Sequence, residues 1–144
     1  MIHTAYLLPV TALIAWSLVM WLWMYATRLP AIMKSGQPMD PTKPKSELLS
    51  FLPAQVAWKA DNYNHLMEQP TIFYAASFVL ALMPVASSTA LNAGLVAAWV
   101  YVVLRVIHSL VQALANAINL RFTLHVLGTV PLFVMVWAAA VQLI

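Results

Sequence analysis

Cysteine is absent from the chain and charge is scarce. Without cysteine there is no disulfide, no thiolate metal site and no cysteine nucleophile. Only 8% of the 144 residues are Asp, Glu, Lys or Arg, where a soluble domain carries about a quarter. So few charges cannot cover the surface of a water-soluble globule. Soluble enzymes, nucleic-acid modules and disordered tails are excluded. What fills the chain is apolar, with 63% hydrophobic residues and a mean hydropathy of +0.84. The composition is that of a small integral membrane protein. The net charge of +3 comes from seven scattered Lys and Arg, too few for a nucleic-acid footprint. Its role is to set topology.

The length sets the number of spans. Four spans of about 22 residues use roughly 88 positions, and loops take the rest, so a fifth does not fit. The N-terminal apolar run lacks a basic leader and is too long for a signal sequence, so it reads as a permanent first span. Of the eleven charged residues none precedes Arg28, nine fall between Arg28 and Glu68, and only Arg105 and Arg121 follow. Spans are predicted at about 5–29, 54–83, 90–117 and 120–144, as one all-α four-helix membrane domain covering 1–144. The segment at about 34–53, with Gly36, Pro38, Pro41, Pro44 and three Lys, reads as a polar loop. Pro84 to Thr89 reads as a short uncharged turn. No internal repeat is present. Lys34, Lys43 and Lys45 in the first loop, flanked by Arg28 and Lys59, predict a cytoplasmic loop, with both termini on the opposite side. Short loops and the lack of cysteine fit a bacterial inner membrane.

Charged groups inside spans are costly and face a bundle interior or a water-filled pocket. Around Arg105 on the third helix, His108, Ser109, Gln112, Asn116 and Asn119 fall within a wedge of about 100°. Asp61, Asn64, His65 and Glu68 form a similar wedge on the second helix. Arg121 and His125 lie one turn apart on the fourth, and Ser17, Trp21, Met24, Tyr25 and Arg28 share a face on the first. Blander readings exist for single residues. Arg28 and Arg121 fit snorkelling to headgroups, His3 an interfacial position, and the first-span aromatics a membrane belt. A Glu68–Arg105 ion pair could join two helices. Packing alone does not account for Arg, His, Gln and two Asn on one face. Arginines, a carboxylate, amides and imidazoles beside lipid suit a small zwitterion with carboxylates, while the bilayer holds an apolar co-substrate. No metal site is expected, because the four histidines lie on different helices without ligand-like spacing.

These residues resemble the MAPEG family, membrane-associated proteins in eicosanoid and glutathione metabolism, which includes microsomal glutathione transferases and prostaglandin E synthases. The most specific part is Arg105-Val-Ile-His108-Ser, with Arg121 sixteen residues after Arg105. It is similar to the Arg-Val-x-His-Thr motif of the prostaglandin synthase branch and to the Arg that opens its fourth helix. Asn64-His65-Leu66-Met67-Glu68-Gln69-Pro70 is similar to the family's Arg-x-x-x-Asn-x-x-Glu segment, and Arg28 to an Arg near the end of its first helix. The resemblance implies a homotrimer with glutathione as co-substrate between neighbouring subunits. It implies glutathione contacts from Glu68, His108 and Arg121, with a catalytic Arg121 that stabilises the thiolate; Arg28, Asn64, His65, Arg105, Gln112 and His125 are the further candidate cofactor contacts on the polar faces. The chain departs from the pattern at Asp61, where the family has Arg, and at Gln112 and His125, where the prostaglandin branch has tyrosines.

Three functions compete. The first is glutathione-dependent transfer or peroxide reduction on lipophilic electrophiles or hydroperoxides, motivated by Glu68, Arg105, His108 and Arg121. The second is a non-catalytic membrane protein of the same fold that binds lipids or small molecules, motivated by Asp61 and Gln112. The third is a small multidrug-type transporter coupled to protons through Glu68.

Overall fold

One glycine and one proline set two of the helix boundaries. The protein is described from a computed structural model, which covers residues 3–37, 41–84 and 88–143, with backbone only for Lys45 and Ser46. Residues 85–87 of the Pro84–Thr89 turn, Pro38 of the first loop and Ile144 of the last span lie outside it. After a 3-10 turn at Thr4–Tyr6, α1 runs over Leu7–Ser35. It passes through Pro30 and takes in Lys34, beyond the 5–29 expected from hydropathy. Proline removes one backbone bond, a loss that transmembrane helices tolerate. The stop is Gly36, whose φ of 61° closes the helix in the left-handed conformation. One turn of helix, α2 (Lys45–Leu48), lies within the expected 34–53 loop.

Hydropathy predicts one helix over 54–83, and the structure has two. They are α3 (Ala54–Leu66) and α4 (Pro70–Leu82). Pro70 has no N–H for the Leu66 carbonyl and its ring crowds the preceding turn, so the chain breaks over Met67–Gln69 and restarts with proline in the first turn. Each piece has 13 residues, about 20 Å, short of the ~30 Å hydrocarbon core. α5 (Thr89–Leu114) and α6 (Ile118–Leu143) follow. Among the described residues three helical stretches are long and apolar enough to cross a membrane: Thr4–Ser35, Thr89–Leu114 and Ile118–Leu143. α5 ends before Asn116, which enters the turn with a φ of 48°, and Asn119 falls on α6. The polar wedge of α5 therefore stops at Gln112.

The result is an all-α membrane bundle with α5 at its centre, packed against α1, α3, α4 and, most extensively, α6. Large apolar side chains such as Leu18, Leu22, Phe133 and Trp137 face outward, as lipid-facing positions require. At one end the chain is tied by polar contacts. The His3 N–H donates to the Ala81 carbonyl at 2.7 Å. Ser88 caps α5 by accepting from the Leu91 N–H at 3.1 Å, and Gln142 of α6 donates to the same hydroxyl at 3.2 Å.

Close approach of α5 and α6 depends on Gly94. A Cβ there would lie 2.6 Å from the Tyr6 hydroxyl and 3.2 Å from the Ala138 Cβ. Tyr6 is fully buried and its hydroxyl donates to the Leu91 carbonyl, so it has little room to retreat. A Cβ at Gly128 meets nothing within 4 Å. Gly94→Ala is expected to cost about 1–3 kcal/mol of overpacking, partly offset by better helix propensity. Thermal unfolding in detergent should show a lower Tm for Gly94→Ala than for Gly128→Ala; equal values would refute the close packing.

Candidate functional site

The break between α3 and α4 leaves backbone carbonyls without their helical partners. The Met67 N–H reaches the Asn64 carbonyl at 2.9 Å, but the Glu68 N–H reaches the His65 carbonyl only at 3.4 Å. Arg105 of α5 adds a donor there, its Nη2 donating to the His65 carbonyl. A guanidinium at a helix C-terminus satisfies an orphan acceptor and complements the partial negative charge there. Arg105 is only 4% exposed. The structure thus puts a backbone bond where the sequence suggests a Glu68–Arg105 ion pair, because the broken helix turns an acceptor toward α5. On the other side of the break, Gln69 Nε2 donates to Thr129 Oγ1 of α6 at 3.0 Å.

Around this junction lies a cavity of about 380 Å³ lined by His65, Glu68, Gln69, Arg105, His108 and Arg121, with Ile118, Phe122 and His125 completing the wall. The histidines come from α3, α5 and α6 and converge. The His65 and His108 rings stack with centroids 6.2 Å apart, and His108 and His125 are 6.3 Å apart. Among the described residues no group of three or more His, Cys, Asp or Glu is placed to hold a metal, and the adjoining guanidiniums disfavour a cation. Glu68 is exposed within the break. Arg121 opens α6 and donates through Nη1 to Asn116 Oδ1 in the α5–α6 turn. The buried atoms Arg105 Nε, Arg121 Nε and His108 Nδ1 have no hydrogen-bond partner among the described residues. With two guanidiniums, three imidazoles and one carboxylate, the cavity suits a small anionic or zwitterionic ligand. Phe122 and Ile118, both exposed, give it an apolar border.

The sequence-derived residues are therefore sorted by the structure. His65, Glu68, Arg105, His108, Arg121 and His125 share this cavity. Arg28, Asn64 and Asp61 line a different one, between α1, α3 and the 49–52 segment. Gln112 lines neither; it is 1% exposed and both its amide atoms are without partners among the described residues. It lies one turn beyond His108, where α5 is covered by neighbouring helices. Tyr101, Gln69 and Phe122 are the residues that pattern reading misses. Tyr101 precedes Arg105 by one turn, is buried with an unpartnered hydroxyl, and stacks on Phe73 at 4.8 Å. With Gln69, Arg105 and His125 it lines a small extension of the site. Its spacing of four from Arg105 was the available signal.

The sequence model of the MAPEG family matches residues 6–141, nearly the whole chain. No curated protein and no solved structure matches it.

The two arginines should separate in their effect on stability. Arg105→Gln removes a buried charged donor from a helix terminus and is expected to cost about 1.5–3 kcal/mol. Arg121→Gln, whose hydrogen bond stays within the α5–α6 turn, should cost less. Unfolding of both variants in the same detergent checks this; equal losses would contradict the role assigned to Arg105.

Proposed function

The chain belongs to the MAPEG family, an integral membrane family that includes glutathione-using enzymes, and on that premise we propose a glutathione-dependent transferase or peroxidase acting on lipophilic electrophiles or hydroperoxides. The observation that carries the proposal is the convergence of Glu68, Arg105, His108, Arg121 and His125 on one cavity open beside lipid-facing side chains. Glutathione fits the donor set. Its carboxylates suit the forked guanidinium donors of Arg105 and Arg121, and its ammonium suits Glu68. The volume of about 380 Å³ lies in the range of small-ligand sites, about 300–1,000 Å³.

When bound, glutathione supplies the sulfur nucleophile. The residues of the chain supply the field around it. Arg121 favours the ionised sulfur electrostatically, since a nearby cation lowers a thiol pKa. Arg105 is already engaged with the His65 carbonyl, so it orients more than it activates. His108 and His125 offer imidazole nitrogens that can hold a proton near the reacting atoms. Phe122 and Ile118 form the side toward the bilayer, where an apolar substrate arrives. Asp61 lies on the other cavity, so it does not oppose carboxylates bound beside Arg105.

The proposal includes a homotrimer with the site at subunit boundaries, in keeping with Glu68 and His125 being exposed on the single chain. It also places the protein in a bacterial inner membrane with the first loop in the cytoplasm. In the absence of native cysteine, Gln37→Cys should react with a membrane-impermeant maleimide only when the cytoplasmic face is open. Labelling from the other face would invert the topology.

Purified protein should conjugate glutathione to a chlorodinitrobenzene-type electrophile or reduce a lipid hydroperoxide. Arg121→Ala should lower kcat/KM by about 10²–10³, the weight of one preorganised electrostatic donor. Unchanged turnover would remove Arg121 from the mechanism. Stabilisation by lipid without any by glutathione would favour the non-catalytic reading.

A further inference from the structure

Tyr101, Arg105 and His108 each carry into the interior one polar atom that has no partner among the described residues. These are the Tyr101 hydroxyl, Arg105 Nε and His108 Nδ1, all buried. The three residues line the same small space, the extension of about 10 Å³ that also touches Gln69, Leu124 and Gly128. In so small a space every wall lies close to a single occupant. The three atoms do not reach one another, so a group that satisfies them stands between them. One buried water needs about 10–15 Å³ and about two to four polar neighbours.

Gly128 shows independently that room is kept there. It is buried in α6, yet a Cβ at this position would meet nothing within 4 Å. A larger residue would take up space that the glycine leaves at the wall of the extension.

We propose that this extension holds one water that joins Arg105 Nε, the Tyr101 hydroxyl and His108 Nδ1, and that the water fixes which nitrogen of His108 carries the proton. A guanidinium N–H can only donate, and its positive charge draws the oxygen of the water toward it. The Tyr101 hydroxyl donates to the same oxygen. The hydrogens of the water then point away from Arg105, and one is donated to His108 Nδ1. Gln69, whose Nε2 is engaged with Thr129, has its amide oxygen left to accept the other. In a neutral imidazole the bond made at one nitrogen sets the tautomer. An accepting Nδ1 puts the proton on Nε2. Of the two ring nitrogens only Nδ1 is a buried atom without a partner, which leaves Nε2 for the large cavity that His108 also lines. His108 therefore meets a ligand as a donor. Tyr101 and Gly128 are positioning residues that act through the water and the ring. That the donor meets an oxygen or the sulfur of glutathione rests on the glutathione reading; the water and the tautomer do not.

The test is solid-state nitrogen NMR of the histidine-labelled full chain in proteoliposomes without glutathione, at mildly alkaline pH, where imidazoles are neutral. The His108 signals are assigned by their loss in His108→Gln. Wild type should show His108 as Nε2–H alone. Tyr101→Phe and Gly128→Ala should each add a population protonated at Nδ1, the second by putting a methyl group in the place of the water. The sign of a stability change gives a separate check. Tyr101→Phe should lower the Tm in detergent by about 2–4 °C, the weight of one hydrogen bond. A buried hydroxyl with nothing to bond would make the Tm rise instead, since its removal ends a desolvation cost. An Nδ1–H His108 in wild type overturns the proposal. So does a tautomer that neither substitution moves, or a Tm that rises in Tyr101→Phe. No measurement uses glutathione, so a dry extension leaves the turnover reading standing, and absent turnover leaves the water standing.

Discussion

The bond from Arg105 to the His65 carbonyl is the contact on which the rest of the arrangement depends. A backbone carbonyl held away from water without a partner is costly, by up to several kcal/mol. A helix broken by Pro70 therefore needs donors from elsewhere. α5 supplies one from a side chain that is itself too costly to leave unpaired. The two defects, an interrupted helix and a buried guanidinium, partly offset each other. Their meeting fixes α3 to the central helix and gathers the histidines around the same point.

Hydropathy and helical spacing make much of the fold legible, because lipid punishes charge so heavily that uncharged stretches and polar wedges stand out. The break was not legible. Proline opens helices and interrupts them with the same residue, and the apolar run from Thr71 onward hides the difference. Missing the break also blurs the two cavities. On an unbroken helix Glu68 would lie about 20° from Asp61, so all four polar residues of the second wedge read as one site. The interruption sends Glu68 toward α5 and α6, where it shares a cavity with His65 from the last turn of α3, while Asp61 and Asn64 line the cavity beside α1. Gln112 shows the matching limit on α5. A helical wheel gives its angle correctly and says nothing about how deeply it is covered. The meeting of His65, His108 and His125 could not be read at all, since it depends on how three separate helices are rotated against each other.

Few as they are, the charges gather in two cavities of different balance. One cavity gathers two guanidiniums against a single carboxylate, and the other balances one against one. The departure at Asp61, where the family carries Arg, accordingly falls outside the cationic cavity.

Only Ala115, Asn116 and Ala117 separate α5 from α6. Asn116 holds the left-handed conformation that makes so short a link possible, and its side chain also receives Arg121. The link therefore works as a phase-setter between two rods. Lengthening it by a single residue would rotate α6 by about 100° relative to α5, carrying Arg121 and His125 away together while leaving every residue of the cavity wall intact. Spacing across this turn therefore counts for the site as much as the identity of any side chain it positions.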